Sequence, residues 1–238
     1  MRRLIATLFA CVIAMHAQDW AKAKLDKSPR RHEQVSIQKL SAFVVYPDTK
    51  DKRPAILLVH DAGGLTEWFK SFADEVAAMG FVAVAPDLKS EVAGHATPDL
   101  NAVAEYAKKL PASNGILFVA GIGWGGEQSF RFASERADVS AALDFCGAAP
   151  DKSTIAKIQG SVFGFFAAND PGVDATIAPA QAAAKAAGVV FETVTYDGVG
   201  PNFMESDAPG ANPKDKLTRG YAMERMKSVL DMVALRGY

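Results

Sequence analysis

The stretch Ile116-Leu117-Phe118-Val119-Ala120-Gly121-Ile122-Gly123-Trp124-Gly125-Gly126 decides the fold. Its opening apolar run, too short for a helix and bounded by glycine, reads as a buried strand of the kind found in parallel sheets. The glycines then turn the chain sharply, and residues from about Gly125 to Glu135 read as a helix. Strand, sharp turn and helix are the layout of a nucleophile elbow. Gly121 and Gly125 let strand and helix approach closely, and the residue midway between them is lifted toward a ligand space with positive φ. That residue is Gly123, which offers no hydroxyl or thiol to attack a carbonyl.

Outward from the elbow, strands and helices alternate. Ser41–Tyr46, Arg53–His60, Phe81–Ala85, Val139–Phe145, Val162–Phe166 and Val189–Tyr196 read as strands. Thr66 caps a helix carrying Phe69, Phe72, Val76 and Met79, and Gly80 ends it. Thr97-Pro98 opens a helix to Leu110, an Ala-rich helix spans about Ala175 to Ala187, and a long one runs from about Lys214 to Leu235. This alternation predicts an α/β chain with a doubly wound, mostly parallel sheet and helices on both faces. Its loops Asp87 to Thr97 and Gly198 to Asp215 leave on the side where the strands release the chain, so a ligand space is expected there.

Three segments are expected. Residues 1–17 read as a signal peptide, with Arg2 and Arg3 before the apolar run Leu4–Ala14, which is too short to span a bilayer. Cleavage is expected after Ala17, with Ala23 and an uncleaved anchor as alternatives. A periplasmic or secreted location follows, with no other membrane association. Residues 18–34, which include Lys22, Lys24, Lys27, Arg30 and Arg31, are expected as a flexible basic leader. Residues 35–238 form the α/β domain.

Composition narrows the partners. The 238 residues are 49% hydrophobic and 22% charged, and the formal net charge is −1. Loss of Arg2 and Arg3 would take it to −3. A near-neutral chain has no long-range field drawing it to nucleic acid, so a small-molecule ligand or a protein partner is expected. Cys11 and Cys146 make no disulfide framework, and no metal-ligand spacing or cofactor motif is legible, that around His95, Glu91 and Asp99 included.

His60-Asp61, Gly80-Phe81-Val82, Pro86-Asp87-Leu88, Gly121-x-Gly123-Trp124-Gly125-Gly126, Asp170 and Tyr196-Asp197-Gly198 stand in the order and spacing of dienelactone hydrolases, which the chain resembles over roughly residues 35 to 235. The resemblance implies an α/β-hydrolase fold and a triad for ester or lactone hydrolysis: a cysteine or serine at the elbow, an acid after a later strand, and a histidine before the last helix. Asp170 matches the acid. Gly123 stands at the nucleophile position. Pro201, in Tyr196-Asp197-Gly198-Val199-Gly200-Pro201-Asn202-Phe203, stands at the histidine position. The four histidines are His16, His32, His60 and His95, so none follows the elbow.

Two of three triad positions are empty, and loss of one member of such a unit typically costs orders of magnitude in rate. The expectation is an exported, catalytically degenerate protein that keeps a binding space, with His60, Asp61, Gly63, Trp124, Cys146 and Phe203 as candidate lining. The resemblance implies that Asp61 replaces a glutamate that interacts with the nucleophile. The turn His60–Gly64 is expected to offer amides to an oxyanion, or else to be only a satisfied turn. Asp170 reads first as the turn former of Asn169-Asp170-Pro171-Gly172, ahead of a ligand contact, and Cys146 first as a small buried hydrophobe, ahead of a displaced nucleophile. The enzyme alternative is a weak or unconventional hydrolase using Asp61, His60, Cys146 or Asp170. A partner-binding protein is the third, expected if Trp124, Phe203 and Met204 fill the ligand space.

Overall fold

The computed structural model describes residues 19–88 and 96–236. Eight strands form one sheet in the order β1-β2-β4-β3-β5-β6-β7-β8. These are β1 (His32–Ile37), β2 (Leu40–Val45), β3 (Arg53–Val59), β4 (Val82–Pro86), β5 (Ser113–Ile122), β6 (Val139–Phe145), β7 (Ser161–Ala167) and β8 (Phe191–Tyr196). The β1–β2 and β2–β4 pairs are antiparallel, and every pair from β4 through β3 to β8 is parallel. This is the expected doubly wound sheet.

The period of two along a strand assigns each side chain to a face. In β3, Ile56 and Leu58 enter one core with Phe69, Phe72 and Val76 of α2 (Glu67–Ala78) and with Met226 and Leu230 of α7 (Pro213–Arg236). Ala55, Leu57 and Val59 enter the other core, with Leu100 and Val103 of α3 (Thr97–Lys109) and Phe130 of α4 (Trp124–Glu135). Ala180 of α6 (Pro171–Ala187) and Ile155 of the short α5 (Lys152–Ile155) close that second face. Thr66 caps α2 as read, its hydroxyl accepting from the Phe69 amide.

Several expectations need correction. Residues 19–34 are not a free leader. Residues 19–25 are helical (α1), with Ala21 and Leu25 buried, and β1 begins at His32. Arg30 grips Asp74 through two hydrogen bonds, from Nε at 2.9 Å and from Nη2 at 2.6 Å, and the Ser28 hydroxyl donates to the same carboxylate. Two of the basic residues that read as solvated, Lys24 and Arg30, are therefore paired with acids on α2. α6 starts at Pro171, one turn before the Ala-rich run, because Asp170 caps it. The loop from Gly198 contains a 3-10 turn, η1 (Phe203–Glu205). The expected loop at His95 and Glu91, the expected signal peptide with Cys11 and His16, and most of the segment between Asp87 and Thr97 lie outside the described residues.

Candidate functional site

The sheet reverses its winding between β3 and β5, which are parallel neighbours, so the turn after β3 and the turn after β5 emerge side by side. A crevice at such a switch point is where doubly wound sheets bind ligands. The turn after β5 is the elbow, and Gly123 sits there with φ 55 and ψ −120, at the N-cap of α4. Its amide donates to the Phe145 carbonyl at 2.8 Å, and its carbonyl accepts from the Gly126 amide at 2.9 Å.

Glycine is required around this turn by contact. A Cβ on Gly121 would lie 2.0 Å from the Gly125 carbonyl oxygen, and one on Gly125 would lie 2.1 Å from the Val59 oxygen. Position 123 differs: a Cβ there would meet only the Asp61 Cβ, at 3.9 Å. The elbow is built and the space for a side chain is open, but the side chain is not there.

His60 is fully buried, its Nδ1 lies 2.6 Å from the Asp61 carbonyl oxygen, and its Nε2 accepts from the Leu88 amide at 2.9 Å. Accepting at Nε2 makes Nδ1 the donor, so both ring nitrogens are engaged by backbone. Asp87 is 3.9 Å from Nε2, beyond hydrogen-bond reach. The ring stacks with Trp124 at 6.3 Å and meets the edge of Phe69 at 6.0 Å. Trp124 thus packs on His60. In the adjoining turn the Gly63 amide donates to Asp61 Oδ1 at 2.9 Å and the Gly64 amide to the Asp61 carbonyl at 3.2 Å. These two amides are consumed inside the turn and are not free for an oxyanion.

Cys146 follows β6, is buried, and has φ 60, unusual for a residue with a side chain. Burial pushes its thiol well above the usual range, and the charges of Asp144 and Asp170 push it the same way. A thiol so disfavoured as thiolate is a poor nucleophile. Asp170 accepts from the Val173 amide at 3.2 Å as the N-cap of α6. Pro201 is exposed, whereas Phe203 is buried in the core with its ring edge-on to Tyr196 at 5.4 Å. Phe203 therefore supports the loop from below.

Sequence reading missed three carboxylates here. Asp144 on β6 is fully buried, with Oδ1 accepting from the Gly147 amide at 2.7 Å and Oδ2 unpartnered among the described residues. Burial holds it well above the usual carboxylate range and Glu127 adds to this, against the Gly147 hydrogen bond. The Glu205 carboxyl is pushed up by the chain crowding it and then by the charges of Asp61 and Asp207, although the residue as a whole is exposed. Asp207 is pulled down: burial opposes this, but Arg219, Lys24 and the Trp68 indole outweigh it. No local pattern signals these residues. Among the described residues no cluster of His, Cys, Asp and Glu suits a metal ion, and no helix is long and apolar enough to cross a membrane.

Sheet order and elbow together define an α/β-hydrolase fold. Solved structures agree. A Klebsiella pneumoniae subsp. pneumoniae MGH 78578 protein assigned as a dienelactone hydrolase matches with a TM-score of 0.74 at 19% identity, covering 84% of this chain and 97% of that one. A dienelactone hydrolase-like promiscuous phosphotriesterase from metagenomic libraries matches at 0.70 and 19%, covering 84% and 98%. A Pyrobaculum calidifontis esterase matches at 0.70 and 16%, covering 98% and 97%. No curated protein sequence matches the chain. The dienelactone hydrolase family model matches residues 40–96 and 88–234, and the chain belongs to that family.

Proposed function

We infer that this is an exported member of the family in which the elbow no longer performs covalent catalysis and the space above it binds a small molecule. One observation carries the reading: Gly123 holds the elbow conformation in open space, with no nucleophilic side chain, and no histidine follows it in the chain. The other groups that could substitute are otherwise engaged. Both nitrogens of His60 bond backbone, Cys146 is a buried and disfavoured thiolate, and Asp170 caps a helix.

A second reading, an unconventional hydrolase, is favoured only by Asp61. Its Cβ is the atom nearest the vacant position, and its charge raises Glu205. A carboxyl that holds its proton more tightly than usual, as Glu205 does, in the field of a second carboxyl is a setting for acid and base work on water.

The experiment is hydrolysis of a short activated ester and of an unsaturated lactone by the purified protein, beside Asp61→Ala, Cys146→Ala and the double variant Gly123→Cys/Pro201→His. No turnover by the parent, with turnover appearing in the double variant, is expected. Parent turnover that collapses in Asp61→Ala would establish the second reading instead. Export is read from the N-terminal residue of the processed protein, expected to be Gln18.

A further inference from the structure

A cleft of about 460 Å³ opens where α1 and the segment after it meet α2 and α7. Its volume falls within the roughly 300–1,000 Å³ of small-molecule sites. No residue of the turns after β3 and β5 lines it, so it is a place apart from the elbow.

Charge in this cleft is unbalanced. Four cations and two carboxylates line it. Arg30 Nη2 meets Asp74 at 2.6 Å, Arg219 Nη2 meets Glu75 at 2.6 Å, and Lys24 is shared between Glu75 and, at 2.9 Å, Asp207, which stands outside the lining. Counting Asp207 leaves four cations against three carboxylates, and the unmatched cation is Lys27, whose ammonium has no partner among the described residues.

The two arginines hold further donors in reserve. Arg30 spends Nε and Nη2 on Asp74, Arg219 spends Nε on the Met204 carbonyl and Nη2 on Glu75, and neither Nη1 has a partner among the described residues. The Asp74 and Arg219 side chains are only 5% and 10% exposed, so both guanidiniums are fixed before a ligand arrives. Much of the remaining wall is apolar, from Pro29, Ala78, Met79 and Met223. Methionine side chains adapt their shape to what they cover.

We propose that this cleft is a second ligand site, taking a small monoanion with an apolar tail: an alkyl carboxylate. One negative charge answers Lys27, the two carboxylate oxygens accept from free guanidinium N–H groups, and the alkyl chain covers the methionines. A dianion such as phosphate would bring a second charge with no cation to meet it and no apolar part for the wall. The site goes beyond the reading of the elbow and stands whether or not the elbow binds anything.

The test is calorimetric titration of the purified full chain with sodium octanoate, beside octanol, acetate and inorganic phosphate. Saturable binding of octanoate to one site is expected, with each of the other three weaker by about tenfold or more. Lys27→Met should weaken octanoate about fivefold, the effect of losing one partly exposed ion pair, and Lys27→Arg should restore it. Ala78→Phe, at an exposed position of the wall, should fill the cleft and abolish binding while leaving the melting temperature unchanged. No saturable binding of octanoate would overturn the site, and so would equal affinity for octanol or phosphate. Loss in Ala78→Phe with no change in Lys27→Met would seat the chain but deny the charge, which overturns the monoanion. Binding untouched by both variants would place octanoate elsewhere, the elbow included, and overturn the site as well.

Discussion

Gly126 and Asp144 interlock beneath the elbow: a Cβ on Gly126 would lie 1.7 Å from the Asp144 carboxylate oxygen Oδ1. Asp144 leaves β6 toward α4, and its carboxyl fills the volume that any larger residue at 126 would need. Gly126→Ala should therefore destabilise the fold by roughly 3 kcal/mol, at the upper end of overpacking costs. Urea unfolding of Gly126→Ala, Asp144→Ala and the double variant checks this. A coupling of about 2 kcal/mol in favour of the double variant is expected, and additive effects would mean that the two residues do not compete for space.

The same carboxyl should leave a signature in the pH dependence of stability. An acid whose affinity for the proton rises on folding contributes stability in full below its unfolded value of 3.8 and loses it as pH rises through its folded value. Parent stability should accordingly fall relative to Asp144→Asn as pH is raised from about 4 into the neutral range. The asparagine keeps an oxygen for the Gly147 amide and titrates nothing. Parallel curves for the two proteins would show that Asp144 is already ionised in the folded state.

Gly123→Cys tests what glycine does at the elbow. A side chain fits there without collision, so the expected cost is that of the positive φ alone, about 1–3 kcal/mol. Cys146, held at φ 60 by the same fold, shows that such a residue is tolerated. A melting temperature equal to or above that of the parent would sink the idea that glycine relaxes this turn.

Asp170→Ala should lower stability by about 1 kcal/mol, the usual worth of an N-cap, and leave any hydrolysis unchanged. Measuring both on one preparation separates the roles, because a rate loss without a stability loss would make Asp170 part of a working site.

Sequence patterns made the sheet legible because its information is local. The apolar run of β3, the Thr66 cap and the glycines of the elbow each announce themselves within a few residues. β1 was missed because His32-Glu33-Gln34-Val35 is polar and becomes a strand only by pairing with β2. Residues 19–31 read as a solvated leader because Lys24 and Arg30 find their partners about fifty positions away, on α2. The vacancy at Gly123 and the missing histidine were visible directly. The engagement of His60 was not, since it depends on the Leu88 amide, brought to Nε2 by the fold. Asp144 was hidden for a related reason: a lone acid in an apolar strand carries no mark of being buried.

Position 123 has a practical meaning for protein engineering. Its neighbours 121, 125 and 126 are fixed as glycine by packing, so the backbone there is already shaped and stays shaped with nothing to position. The junction is in effect an unfilled socket. A thiol, a hydroxyl or an unnatural reactive group can be installed by a single replacement, in a chain whose own cysteine and histidine at that end of the sheet are already bound to backbone and so compete little for the added chemistry.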